Sequence, residues 1–173
     1  MGEQPAPAGR IRDPEEEPNH IMKPNFEGFT TVDFPPPNGS LPGPPQGFVY
    51  VFFWIDDGVE VAFYVGETGR LAARINEYCM AGFGACTDFR TGEAIRYLIG
   101  VKKRRIILKY RPSKNQKEDE KQLIRDLLLS GVRILNSFPG YDYRYADKAE
   151  ERQAVQNYCD MFVRLNNSDR GDS

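Results

Sequence analysis

From Gly47 onward the chain carries long apolar runs separated by turn signals. GFVYVFFWI (47–55) is apolar, aromatic and β-branched, DDG follows as a turn, and VEVAFYVG (59–66) is a second apolar run, which together predict a β-hairpin. Leu71, Ile75 and Tyr78 then recur at helical spacing with Thr68 placed to cap, so a helix is expected to follow the second strand at once. Beyond a glycine-rich link, TGEAIRYLIG (91–100) predicts a second helix and RRIILKYR (104–111) a third strand. Residues 115–130 place Leu123, Ile124, Leu127 and Leu128 on one face and stop at Gly131, the pattern of an amphipathic helix. Residues 146–165 predict a last one. The order ββααβα with a C-terminal helix predicts an α+β fold in which a small three-stranded sheet, the hairpin plus a third strand, is flanked by helices.

Residues 1–45 have a different texture. They hold most of the prolines, in runs such as FPPPNGS and LPGPP, and the acidic run Glu15, Glu16, Glu17, with little apolar periodicity. Such a segment buries too little to offset its ordering entropy, so an extended arm is expected, packed at most locally through Phe26, Phe29 and Phe34. The organisation that follows is an arm (1–45), a folded domain (46–140) and a C-terminal helical extension ending in a frayed NNSDRGDS tail (141–173).

A length of 173 residues suits one domain plus appendages, and 40% hydrophobic content is enough for its core. No apolar run approaches the ~20 residues of a membrane span, and the start lacks the apolar stretch of a signal peptide, so a soluble intracellular protein, in cytoplasm or nucleus and with no membrane partner, is expected. Cys79, Cys86 and Cys159 are an odd count without CxxC pairing, which supports neither a disulfide framework nor a zinc knuckle. The net charge of −2 hides a segregation: residues 64–117 carry 12 Lys/Arg against 4 Asp/Glu, while the flanking stretches are acidic. A basic middle is what a phosphate-facing surface needs, although a solvated charged surface accounts for it as well.

Five stretches carry the candidate chemistry. FVY (48–50) lies on the first predicted strand, YVG (64–66) on the second, and ETGRLAARINEY after it, with Arg74 ten positions past Tyr64. These resemble the GIY-YIG nuclease signature and its helix arginine; EKQLI from Glu120 resembles the family's glutamate-bearing helix, and ILN ending at Asn136 its closing asparagine. The resemblance spans about residues 47–138. Three departures stand out: Phe48 replaces the glycine of the first triplet, the Tyr50–Tyr64 gap is longer than usual, and Tyr78 stands where several members carry a histidine. The only histidine here, His20, lies in the arm.

The resemblance implies a metal-dependent endonuclease hydrolysing DNA phosphodiesters, with RNA not excluded, through Tyr50, Tyr64, Arg74, Glu120 and Asn136. It implies Mg²⁺ (or Mn²⁺) on Glu120, and assigns the base to Tyr50. Cutting both strands with one site per chain favours a homodimer or sequential nicking. Physical chemistry supports such roles independently. Phosphodiester hydrolysis needs a deprotonated water, neutralisation of charge on the phosphoryl oxygens and stabilisation of the leaving oxygen. Glu120 offers a hard carboxylate to a Mg²⁺, and Arg74 a rigid donor fork to a phosphate. A free tyrosine titrates near pH ~10, so a phenolate base needs a cation beside it.

Backbone-phosphate contacts are expected from Arg70, Arg96, Lys102, Lys103, Arg104 and Arg105, with Gly66 and Tyr78 at the same surface. Taken singly, each residue has a plainer reading: tyrosines in apolar strands are usually core, Arg74 and Glu120 fit a solvated helix face, KKRR fits a basic turn, and Asn136 fits the end of a turn. A catalytically inactive copy of the fold, binding nucleic acid or protein, is the alternative function; a metabolic enzyme lacks any dinucleotide or P-loop signature.

Overall fold

The computed structural model describes residues 24–80, 86–137 and 148–168. Residues 1–23 with His20, the glycine-rich link, residues 138–147 and the tail lie outside them. Four strands, β1 (Thr30–Phe34), β2 (Phe48–Asp56), β3 (Val59–Thr68) and β4 (Arg105–Pro112), form one antiparallel sheet in the order β1-β4-β2-β3. Four helices accompany it: α1 (Leu71–Cys79), α2 (Cys86–Gly100), α3 (Gln116–Leu129) and α4 (Lys148–Ser168). A 3₁₀ turn at Leu135–Ser137 lies between the last two. The α+β class stands, but the expected three-stranded sheet is corrected to four strands. The added strand, TTVDF, comes from the proline-rich stretch and pairs with β4, Val32 facing Leu108 across the ladder. Its hydrogen-bond partner lies more than seventy residues downstream, so its short run of β-branched and aromatic residues does not by itself disclose the pairing.

The continuous apolar run of β2 has a simple cause: both faces of the sheet are covered. Phe48, Tyr50, Phe52 and Trp54 point to one core, shared with Leu71, Ile75 and Tyr78 of α1, with α2 and with Val155, Cys159 and Phe162 of α4. Val49, Val51 and Phe53 point to the other, against Leu123 and Leu127 of α3 and Ile134. Large aromatics thus fill one side and smaller branched residues most of the other. Val32, Phe34 and Leu41 extend the first core, and Phe34 meets Phe52 edge-on at 5.4 Å. Phe26 does the same to Phe53 on the opposite face, at 5.0 Å.

Two details of the hairpin set up the site. Asp57 and Gly58 at its tip both have positive φ, as a two-residue turn matching strand twist requires. The ladder slips between Phe52 and Phe53, so that Phe52 faces Tyr64 and Phe53 faces Ala62, leaving Phe63 as the extra residue of a bulge. Phe63 and Tyr64 can then both belong to the aromatic core although they are neighbours in sequence.

Smaller expectations also change. Arg70, not Thr68, occupies the cap position of α1; the Thr68 hydroxyl accepts the Arg70 amide from two residues away. Leu128 is exposed, because the buried stripe of α3 is carried by Leu123 and Leu127 alone. The second helix begins five residues earlier than its apolar pattern suggested. Among the described residues, no helix is long and apolar enough to cross a membrane.

Candidate active site

Strand pairing sets Tyr50 opposite Gly66 and Phe52 opposite Tyr64, which puts both motif tyrosines on the aromatic face. Tyr78 joins them from the last turn of α1. The three ring centroids form a nearly equilateral triangle, 6.3 Å between Tyr50 and Tyr64, 6.5 Å between Tyr50 and Tyr78, and 6.4 Å between Tyr64 and Tyr78. The Tyr50 and Tyr78 hydroxyls share a buried hydrogen bond of 3.0 Å. Exposure of the three residues is 1%, 5% and 1% for Tyr50, Tyr64 and Tyr78, so all three are core residues.

Gly66 makes the arrangement sterically feasible. A β-carbon built there would lie 2.4 Å from Cζ of Tyr50 and 2.5 Å from its hydroxyl, so only a glycine lets the phenol end pass over β3. Arg74, one helical turn before Tyr78, places its guanidinium carbon 5.6 Å from the Tyr78 ring centre. Burial, then the Tyr64 phenol, drives the Tyr50 pKa far above its ordinary value; the bond from Tyr78 and the charge and hydrogen bonding of Arg74 oppose this without reversing it. Tyr78 is raised in the same way, by burial first and then by Tyr50 and Tyr64. Both phenols are therefore protonated at neutral pH and act through their hydrogen bonds.

Arg74 is also half of a second cluster. The Glu77 carboxylate lies 3.1 Å from its Nη1 and 3.5 Å from Nη2 of Arg70, two turns away. Glu77 went unnoticed in the sequence, although its i,i+3 spacing from Arg74 is a usable signal.

Glu120 sits half-buried on the first half of α3, which packs across the opposite face of the sheet. Its carboxyl is raised, by burial first and then by the charge of Glu67, with Lys117 and Lys121 working against both. Glu67, immediately after Gly66, is thus brought within electrostatic reach of Glu120. The pair offers two hard oxygen donors, neither engaged in a salt bridge among the described residues, and that donor set suits one Mg²⁺ completed by water and substrate oxygens. No larger group of metal-ligating side chains occurs among the described residues. The sequence signal for Glu67 is a carboxylate at the strand-to-helix crossing, at the head of the ETGRLAARINEY stretch that resembles the family signature.

Asn136 is used by the fold itself. From the 3₁₀ turn its side-chain oxygen accepts the Val65 amide at 2.9 Å and its nitrogen donates to the Val65 carbonyl at 2.8 Å. Because β3 is the outer strand of the sheet, this carboxamide supplies the two bonds that a further strand would otherwise make.

The basic residues do not form one track. Arg104 pairs with buried Asp56 at 2.6 Å, Arg105 with Asp33 of β1, Lys102 with Asp160 of α4 at 2.6 Å, and Arg96 with Glu93 at 3.0 Å. Lys103 caps the turn with positive φ and stays exposed. Arg105 enters β4 five residues before Tyr110, the partner of Tyr50, roughly 17 Å away at a strand rise of ~3.3 Å. KKRR therefore lies at the hairpin-tip end of the sheet, remote from Arg70 and Arg74. Apart from the arginines of α1 and its cap, Arg96 approaches the tyrosines, bordering with Tyr78, Phe34 and Ile99 a mostly apolar groove of about 270 Å³.

No family model matches the chain, and no curated protein or solved structure shows significant similarity to it.

Proposed function

We propose that the chain is a GIY-YIG-type endonuclease that hydrolyses DNA phosphodiesters at the cluster of Tyr50, Tyr64, Tyr78 and Arg74. The observation that carries this reading is the convergence of three phenols and a guanidinium from two strands and one helix, over a glycine whose absence of side chain the cluster requires. A hydrophobic core needs none of these hydroxyls.

In this reading Arg74 holds a phosphoryl oxygen through its donor fork and neutralises charge that builds during attack. The Tyr50–Tyr78 hydroxyl pair orients the attacking water by hydrogen bonds; the water's proton passes to the Tyr50 oxygen only after that phenol has given up its own to solvent, and the leaving oxygen takes a proton from solvent. Burial opposes a standing phenolate at Tyr50, so the base role assigned to it depends on positive charge entering the site beside Arg74. Glu120, with Glu67, would hold a Mg²⁺ or Mn²⁺ ion on the face of the sheet opposite the tyrosines, so its charge neutralisation would have to reach the phosphate around the outer edge of β3. Asn136 serves by fixing the edge of β3 and with it the position of Tyr64.

Plasmid and single-stranded DNA incubated with Mg²⁺, Mn²⁺ or EDTA test the reading. Metal-dependent nicking that Glu120→Gln abolishes is expected; Glu120→Gln cutting like the parent removes Glu120 from the site, and no nicking under any condition defeats the enzyme reading. The competing reading, a catalytically inactive binding module on the same fold, draws on the burial of Tyr50, Tyr64 and Tyr78, which fits a packed core. DNA binding without nicking in the same assay would select it.

A further inference from the structure

Arg74 of the proposed nuclease site and Arg70 at the cap of the same helix converge on one carboxylate, that of Glu77. Arg74 and Glu77 alone would be an ordinary i,i+3 surface pair. Arg70 changes the picture, because it stands seven residues before Glu77, about 10 Å along the helix axis, and its side chain runs back along the helix to reach the same carboxylate. The first turn of α1 supplies no acid and its cap position makes no side-chain hydrogen bond, so positive potential at this end is met mainly by Glu77 from below. A carboxylate held between two guanidiniums is the geometry in which the same donors take a phosphate, since both anions present paired oxygens to the planar fork. The Arg74 member of this clamp also lies against the Tyr78 ring, so the clamp borders the tyrosine cluster.

We infer that Glu77 is an internal competitor for substrate: its carboxylate fills the place between Arg70 and Arg74 that a DNA phosphate takes, and binding proceeds by displacing it. The inference rests on the nuclease reading and adds to it a residue that sets selectivity. A neutral ligand has nothing to exchange for the carboxylate, whereas a phosphodiester exchanges one negative charge for another. The pair of arginines is thereby kept in position for phosphate, at the expense of affinity.

The test is a double-mutant comparison read by fluorescence anisotropy of a labelled DNA duplex, in EDTA so that cleavage does not intervene. Glu77→Gln keeps helix propensity and side-chain shape, and a thermal melt confirms folding of each variant. It should bind about two- to fivefold more tightly than the parent, the range set by releasing solvent-exposed ion pairs. In the Arg70→Ala, Arg74→Ala background the same change should give no gain. Glu150→Gln on α4, which removes the same charge away from the clamp, should also leave affinity near the parent value. Binding unchanged by Glu77→Gln, or a gain that persists without the arginines or is matched by Glu150→Gln, overturns the competitor role while leaving the nuclease reading in place. Absence of DNA binding by the parent and by Glu77→Gln alike overturns both.

Discussion

Gly66 lies directly across the β2–β3 ladder from Tyr50, and the phenol end of Tyr50 occupies the space in which a Gly66 side chain would begin. Strand glycines are usually costly, since they add backbone entropy and pack nothing. Here the cost is offset by admitting a hydroxyl to the aromatic core, where it meets Tyr78. Gly66→Ala should therefore destabilise the protein by about 1–3 kcal/mol, the range for forced overpacking. A melt that leaves Tm unchanged would mean that Tyr50 can move aside at little cost.

Arg104 is predicted to be a residue of the fold rather than of a DNA contact. Its partner Asp56 is almost fully buried at the end of β2, while Arg104 is itself about one-quarter exposed. Arg104→Ala should cost about 2 kcal/mol, between the ranges for exposed and buried pairs, as judged by urea denaturation. Lys103→Glu, at a site with no such partner, should leave stability within about 0.5 kcal/mol. Equal, small effects of the two changes would show that the Asp56 pair is dispensable.

Asp160 gives a pH dependence whose sign is fixed. Burial alone would raise its carboxyl, but hydrogen bonds from Lys102 and Tyr97 and the Lys102 charge outweigh this, leaving the folded-state pKa below the unfolded value. Such a group stabilises the fold above the ordinary aspartate range, near pH ~3.9, and loses that contribution as pH falls through the folded pKa. Tm of the parent should exceed that of Asp160→Asn at pH 6, and the gap should close as pH is lowered past that range. A gap that stays constant with pH would remove the carboxylate charge as the cause.

How far the sequence reached can be read from individual residues. The hairpin, α1, β4 and α3 were legible because each carries its own periodicity or turn signal, and DDG sits at the tip it predicted. TTVDF was not, because its short run of strand-forming residues sits between proline-rich stretches and its partner β4 is distant in sequence. At the candidate site, the resemblance to the family signature picked out Tyr50, Tyr64, Arg74 and Tyr78, and their proximity follows from strand register and one helical turn. It could not give the partners of the basic residues: Asp33, Asp56 and Asp160 are distant in sequence from the arginines and lysine they meet. Glu67 was overlooked for a related reason, since its neighbour Glu120 comes from an element packed across the sheet.

The most direct measurement compares cleavage and melting for Tyr50→Phe, which deletes one oxygen and keeps the ring. The buried bond to Tyr78 is lost in either case, so stability should fall by roughly 0.5 to 1.5 kcal/mol whatever the function. If the hydroxyl handles the attacking water, metal-dependent nicking should fall by about 10² to 10⁴-fold while DNA affinity barely changes. Tyr64→Phe in parallel apportions the effect between the two motif tyrosines. Nicking by both variants at the parental rate would contradict a catalytic role for the cluster and leave it as core.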